Sequence, residues 1–260
     1  MSQVNEMEKM YHIGLSKAEL CGAKYAIMPG DPGRVPKIAA LLKNPRQVAY
    51  NREYNTYIGE LEGEVVAVTS HGIGGPSTAI AVEELHKCGI GTFVRIGTSG
   101  GMQLDVKAGD VAILTGAIRA EGTSREYLPI EFPAVADLDV SCALRKAAQD
   151  LKIPYHVGVG QCKDSFYGQH DPTRMPVSYE LLNKWQAWIR GGCIVSEMES
   201  AALYTVCATL RARAGAVMLC VWNQEREAAG LPQDKEHDTE RAIKVAVEGV
   251  RNLILQDKEN

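Results

Sequence analysis

The stretch Ala23-Lys24-Tyr25-Ala26-Ile27-Met28-Pro29-Gly30-Asp31-Pro32-Gly33-Arg34-Val35-Pro36-Lys37-Ile38-Ala39-Ala40-Leu41-Leu42 decides the fold class. Residues 23–28 are a short apolar run that ends at a glycine-containing turn, which reads as a buried strand. Over residues 33–42, Val35, Ile38, Ala39 and Leu42 recur at helical spacing and mark one apolar face of a helix.

The same alternation continues along the chain. Apolar runs at residues 65–69, 92–96, 111–114, 156–160 and 216–221 read as further strands. A second helix starts at Pro76, a favoured first position, and carries Ile80, Ala81, Leu85 and Cys88; others are expected over 141–151, 197–210 and 238–255. Strands alternating with helices predict an α/β fold with a largely parallel or mixed sheet flanked by helices. No internal repeat, low-complexity tract or Ser/Gly linker interrupts the pattern, so one domain over residues 1–260 is the simplest account. The least regular part, residues 164–190, contains Phe166, Tyr167, Trp185 and Trp188, which suits a binding insertion better than disorder.

At 260 residues and 45% hydrophobic composition, the chain can build its core without a disulfide or metal staple. Its seven cysteines form no C-x-x-C pair and are odd in number, which suits buried, reduced thiols in a cytoplasmic protein. Met1-Ser2-Gln3-Val4-Asn5-Glu6 lacks a basic stretch followed by an apolar core, so no leader is expected. No apolar run reaches the length of a membrane span, roughly 18 residues. The histidines show no paired metal-ligand spacing and there is no G-x-S-x-G elbow, so neither a metal nor a serine nucleophile is expected. His71, His86, His156 and His237 read as structural or exposed, while His12 stays open.

A guanidinium offers a rigid fork of donors that fits phosphate oxygens, and glycine lets backbone N–H groups approach the same anion. Arginine meets turn-like sequence in Gly30-Asp31-Pro32-Gly33-Arg34, Asn51-Arg52-Glu53 and Arg95-Ile96-Gly97-Thr98-Ser99-Gly100-Gly101. In a chain of net charge -4 this set points to a small phosphate-bearing ligand, and the absence of a broad basic excess argues against nucleic acid. Arg95 sits inside an apolar strand, where a charge needs either an internal carboxylate or a bound anion. Gly72-Ile73-Gly74-Gly75-Pro76-Ser77 opens a helix and serves either tight packing or ligand contact. It is neither G-x-G-x-x-G nor a P-loop, which disfavours a dinucleotide dehydrogenase. In Ser196-Glu197-Met198-Glu199-Ser200 the acids either complement a helix dipole or grip a sugar diol, with methionine covering the apolar ribose face.

Together these residues resemble the nucleoside phosphorylase family with hexameric α/β subunits. Further matching stretches are His12-Ile13-Gly14-Leu15, Asn51-Arg52-Glu53-Tyr54, Glu131-Phe132-Pro133-Ala134-Val135-Ala136-Asp137 and Phe166-Tyr167-Gly168-Gln169, and the likeness covers almost the whole chain. The resemblance implies a nucleoside phosphorylase/hydrolase-like fold and phosphate binding by Gly30, Arg34, Arg95 and Thr98, with Arg52 reaching in from a neighbouring subunit. It implies ribose contacts from Met198, Glu199 and a neighbour's His12, and base contacts from Phe166, Gln169 and the backbone near Gly100. Arg95 and Glu199 would carry the catalysis. The assembly implied is a homohexamer, a trimer of dimers, with no cofactor beyond phosphate as co-substrate. Some members hold a monovalent cation between subunits near the positions of Glu53, Ile73 and Ser77, but no metal is expected here.

The activity implied is phosphorolysis of uridine, with 2′-deoxyuridine as a further candidate, to uracil and a pentose 1-phosphate. Purine-cleaving members use an aspartate at the end of the late strand, where Val221-Trp222-Asn223-Gln224 offers amides that cannot supply that proton. Nucleosidases lack the arginine clamp. A purine phosphorylase or nucleosidase is therefore the alternative, and a non-catalytic nucleoside-binding protein the second. Two departures concern the base. Asp171 and Gln224 stand where pyrimidine-cleaving bacterial members carry arginines, and one residue fewer separates Tyr167 from Gln169. Arg174 and Arg226 lie close by in sequence and are candidates to replace them.

Overall fold

The computed structural model describes residues 6–259. Residues 1–5, on which the expectation about a leader rests, and residue 260 lie outside them. Strand β1 (Tyr25–Pro29) is followed by a 3-10 turn (Pro32–Arg34) and helix α1 (Val35–Ala39). The hairpin β2 (Lys43–Asn51) and β3 (Tyr54–Leu61) leads into β4 (Glu64–Thr69), α2 (Gly75–Lys87) and β5 (Thr92–Gly101). Next come β6 (Val111–Ala120), α3 (Thr123–Tyr127), β7 (Ala134–Val135), α4 (Leu138–Asp150) and β8 (Tyr155–Lys163). The last part holds α5 (Phe166–His170), α6 (Ser178–Arg190), β9 (Val195–Glu197), α7 (Ser200–Leu210), β10 (Arg213–Asn223), α8 (Gln224–Ala228) and α9 (Glu240–Glu259).

All the strands join one mixed ten-stranded sheet, part of which closes on itself. β5 runs parallel to β10, β10 antiparallel to β6, β6 parallel to β8, β8 parallel to β9, and β9 antiparallel to β5. The remainder fans out from β5 through β1, β4, β3 and β2. One edge of β5 is therefore shared: β1 pairs with Thr92 to Ile96 and β9 with Gly100 and Gly101. Gly97, Thr98 and Ser99 lie in the gap between these two ladders, and the cavity described below opens there.

Residues alternate even within continuous apolar strands. In β1, Ala26 and Met28 enter a core shared with α2 and α7, while Tyr25 and Ile27 enter a second core shared with α1, α4 and α9. Helices thus cover both faces, as the run of buried strand residues requires.

The sequence reading differs from the structure in several places. The segment after Arg95 is not a turn: β5 continues through Gly101, because β10 and β9 supply ladder partners that apolar pattern alone does not reveal. The expected helix over 197–210 begins at Ser200, since Glu197 belongs to β9. Residues 164–190 are largely helical, in α5 and α6. The β2–β3 hairpin went unrecognised because β2 is mostly exposed and polar and has no apolar run. Of the seven cysteines, all free, Cys21 and Cys142 are exposed rather than buried. Among the described residues no helix is long and apolar enough to cross a membrane.

Candidate active site

A cavity of about 940 Å³ opens at the fork in the sheet, a size typical of small-ligand sites. Gly30, Arg34, Arg95, Thr98, Gly100, Phe166, Gln169, Met198 and Glu199 all line it.

At one end two guanidiniums converge. The Asp31 side chain accepts the Gly33 N–H at 2.8 Å and so starts the 3-10 turn that presents Arg34. Among the described residues, the Arg34 guanidinium has only a long contact to Asp31, at 3.8 Å. Burial, with the Arg95 charge adding to it against Asp31, holds the Arg34 pKa below its ordinary value. Arg34 is thus a weakly compensated cation, and with Arg95 beside it this end of the cavity offers donors that suit an anion. Arg95 and Gly97 point to the same face of β5, and a Cβ on Gly97 would stand 2.7 Å from both Arg95 Nη2 and Met218 Sδ. Glycine at that position leaves room for the guanidinium to lie along the strand.

Both sequence readings of Arg95 hold at once: it lines the cavity, and it is paired with internal carboxylates. Its Nη2 donates to Glu199 Oε2 and its Nε to Glu197 Oε2, the latter at 3.3 Å. Burial works against the Arg95 charge, but Glu199 and Glu197 more than offset it, so its pKa lies above the ordinary value.

Both glutamates line the cavity and pair with Arg95, but their further partners differ. Glu197 accepts the N–H groups of Glu199 at 2.9 Å and Ser200 at 3.0 Å and so complements the N-terminus of α7. Glu199 reaches the cavity, where its Oε1 accepts the Gly74 N–H at 2.6 Å. The glycine turn before α2 therefore holds a carboxylate of its own chain. Burial, partly countered by Arg95, pushes the Glu199 carboxyl above its ordinary value.

His71, expected to be structural or exposed, is fully buried and completes this network. Its Nε2 accepts from Arg95 Nη1 at 2.8 Å, so in the neutral ring Nδ1 carries the proton toward Thr78 Oγ1 at 3.1 Å. Thr78 in turn donates to the Gly74 carbonyl at 3.0 Å. Arg95, Glu199, Gly74, Thr78 and His71 thus form a closed ring of hydrogen bonds. Burial, reinforced by the Arg95 charge, keeps the His71 pKa well below its usual value, so the imidazole remains neutral.

The other end is aromatic and amidic. Ser165 caps α5 by accepting the Gly168 N–H at 2.9 Å, and the helix turns both Phe166 and Gln169 toward the cavity. The Phe166 and His170 rings lie 4.3 Å apart, with Trp222 beyond His170. Ser196 Oγ lies 2.6 Å from Gln169 Oε1 and 2.6 Å from Lys163 Nζ. The sequence reading missed His170, Trp222, Ser196 and Lys163; the strand pattern it followed stops at Gly160, three residues before Lys163. His237, read as structural or exposed, also lines the cavity.

His12 and Arg52 do not line this chain's cavity. Instead they cluster elsewhere: Arg52 lies over the Tyr11 ring at 5.9 Å, and Tyr11 meets His12 edge-on at 4.7 Å. His12 Nδ1 lies 2.6 Å from Glu84 Oε1. Neither candidate arginine lines the base end. Arg174 pairs with Asp171 on the surface at 2.9 Å, and Arg226 donates to the carbonyls of Leu104 and Pro232 at 2.5 and 2.7 Å. Asn223 is structural: Nδ2 donates to Gln103 and Val106 carbonyls, both at 2.8 Å, and Oδ1 accepts two N–H groups of α8. Among the described residues no cluster of three or more His, Cys, Asp or Glu could hold a metal ion.

The sequence model of the phosphorylase superfamily matches residues 24–254. A uridine phosphorylase from Treponema pallidum is 54% identical, with 99% of each chain covered. That of Escherichia coli is 43% identical over 94% of this chain and 98% of its own. A guanosine phosphorylase from Halorubrum lacusprofundi is 36% identical over 95% of this chain and 100% of its own.

Proposed function

The chain belongs to the phosphorylase superfamily, and on that premise we propose that it catalyses the reversible phosphorolysis of uridine, giving uracil and α-ribose 1-phosphate. It is an enzyme of the pentosyltransferase type. The observation that carries this reading is the convergence of Arg34 and Arg95 at one end of a cavity whose other end holds Phe166 and Gln169. Glu199 stands beside Arg95.

Inorganic phosphate, the co-substrate, is held by Gly30, Arg34, Arg95 and Thr98. Glu199 grips the ribose hydroxyls while Met198 covers the sugar's apolar face. Phe166 stacks on the uracil, and Gln169 and the backbone at Gly100 meet its polar edge. As the glycosidic bond lengthens the ribose becomes oxocarbenium-like, and the phosphate dianion lies ready to stabilise and then capture it. Holding both reactants in this geometry removes about 7 kcal/mol or more of the barrier in favourable cases. The arrangement asks for no cofactor and no protein nucleophile.

Arg52 completes the phosphate clamp, and His12 the ribose contacts, of a neighbouring subunit. Their surface cluster with Tyr11, away from this chain's own cavity, supports that shared arrangement and a homohexamer built as a trimer of dimers. The free cysteines support a cytoplasmic setting. The purine reading is disfavoured because every polar atom of the Asn223 side chain is already used within the fold.

Absorbance assays of uridine, thymidine and inosine, each with and without phosphate, test the proposal. Uridine consumption that depends on phosphate and releases a sugar 1-phosphate is expected. Equal rates in phosphate-free buffer, or a preference for inosine, would overturn it.

A further inference from the structure

We propose that Lys163 is a base-site residue whose ammonium meets the departing uracil and neutralises the charge it gains as the glycosidic bond breaks. The inference rests on the uridine phosphorolysis proposed above. Lys163 is the last residue of β8 and lines the cavity with Gln169, Phe166 and Gly100. An ammonium has three donors. The partners of Lys163 among the described residues are uncharged oxygens, Ser196 Oγ at 2.6 Å and the Glu197 main-chain carbonyl at 3.5 Å. The second of these lies at the limit of a hydrogen bond, which leaves donor capacity for a ligand.

Ser196 Oγ accepts from Lys163 and lies 2.5 Å from Gln161 Oε1 and 2.6 Å from Gln169 Oε1, so its one proton serves either amide and ties Gln169 to the Lys163 cluster. A pyrimidine edge carrying two carbonyl acceptors and one N–H would meet donors from Lys163 Nζ and Gln169 Nε2 and an acceptor in Gln169 Oε1. The other cations are placed elsewhere. Arg34 and Arg95 belong to the anion end, Arg174 and Arg226 are bonded away from the cavity, and Lys235 reaches it from an exposed position. His170 lies on the same side, but burial and the Lys163 charge lower its pKa, so it is not a second cation there at neutral pH.

Chemically, the C1′–N1 bond breaks with its electron pair on the base, and a C1′–O bond forms to a phosphate oxygen. Lys163 keeps its proton and hydrogen-bonds the anion; the proton that uracil finally carries is the one the phosphate group gives up. A fixed, largely buried charge such as that of Lys163 stabilises a leaving group better than a solvated one does.

The test compares Lys163→Met and Lys163→Arg with wild type on uridine and 5-fluorouridine, whose more acidic base leaves more readily. Lys163→Met should reduce kcat/KM for uridine by about 10²-fold, the scale for losing one charge-stabilising donor. It should cost 5-fluorouridine far less, and Lys163→Arg should restore part of the uridine rate. Equal losses on both nucleosides would make Lys163 a structural counter-charge and overturn the inference. A second measurement needs no variant: ultraviolet titration of 5-fluorouracil on the wild-type protein. The bound base should ionise at lower pH than the free base, and an unchanged titration would overturn the inference. Wild-type protein that leaves uridine intact in phosphate would instead refute the parent proposal, a result distinct from either.

Discussion

Arg95 and Glu199, 104 residues apart in sequence, meet through a hydrogen bond from Nη2 to Oε2 with both side chains almost wholly buried. The pair couples the anion end of the cavity to its centre. Glu199 also accepts from Gly74, the residue just before α2, and Arg95 also donates to a neutral His71, so each charge is oriented by a second, rigid partner. Breaking a buried pair is costly because the remaining charge is stranded.

Arg95→Ala should therefore lower phosphorolysis and weaken the fold together. The expected activity loss is about 10²–10³-fold, the range for removing a charge-stabilising donor. The expected destabilisation is about 3–5 kcal/mol, because two buried carboxylates lose their cation. Steady-state assays and urea unfolding check both, and near-wild-type turnover would remove Arg95 from the catalytic set.

Glu199 makes the reaction sensitive to acid. Burial raises its pKa above the ordinary 4.5. On acidification the carboxyl takes up its proton at a higher pH than a free glutamate, loses its charge attraction for Arg95 and binds the ribose less well. The acid limb of kcat/KM should lie above the ordinary glutamate range and vanish in Glu199→Gln. That variant should also lose selectivity for uridine over 2′-deoxyuridine more than it loses phosphate affinity. For stability the sign is opposite: a raised carboxyl pKa favours the fold below pH 4.5, and this contribution is lost as pH climbs through the raised value.

Gly97→Ala tests the close approach of side chain to strand. The new methyl would stand 2.7 Å from Arg95 Nη2 and Met218 Sδ, so the guanidinium must move. Phosphate KM should rise about tenfold or more, with an overpacking cost of about 1–3 kcal/mol. Unchanged phosphate kinetics would show that Arg95 tolerates displacement.

The proposed sharing of the site between subunits makes a complementation prediction. Arg52→Ala and Arg95→Ala chains, each nearly inactive alone, should regain activity when refolded together. A mixed dimer then has one intact site, formed from Arg95 of one chain and Arg52 of the other. Random pairing across a two-fold interface would restore roughly a quarter of the wild-type rate. Absence of recovery in mixtures shown to contain mixed dimers would refute the composite site.

Much of the fold was legible because burial leaves a periodic trace. β1, β4, the first half of β5 and the helices α2, α4 and α9 all follow from apolar spacing, with boundaries off by a few residues. The β2–β3 hairpin left no such trace, since its first strand faces water. At the cavity, Gly30, Arg34, Thr98, Phe166, Gln169, Met198 and Glu199 were identified from residue type and resemblance, and all of them line it. Lys163 was missed, and the network that makes His71 structural was not visible, for different reasons. Lys163 sits beyond the apolar run that betrays its strand, and His71 looks like any histidine until its partner is known.

The chain's own sequence determined an α/β alternation, a set of arginines suited to phosphate, and a pair of glutamates close before a late helix. Only the tertiary structure decided that Glu197 caps α7 while Glu199 holds the Gly74 N–H, that β5 runs on past Arg95, and that Arg52 and His12 lie outside this chain's cavity. The physical reason is that periodicity records how deeply a residue is buried. Which charge meets which is set by ladder pairings between segments a hundred residues apart.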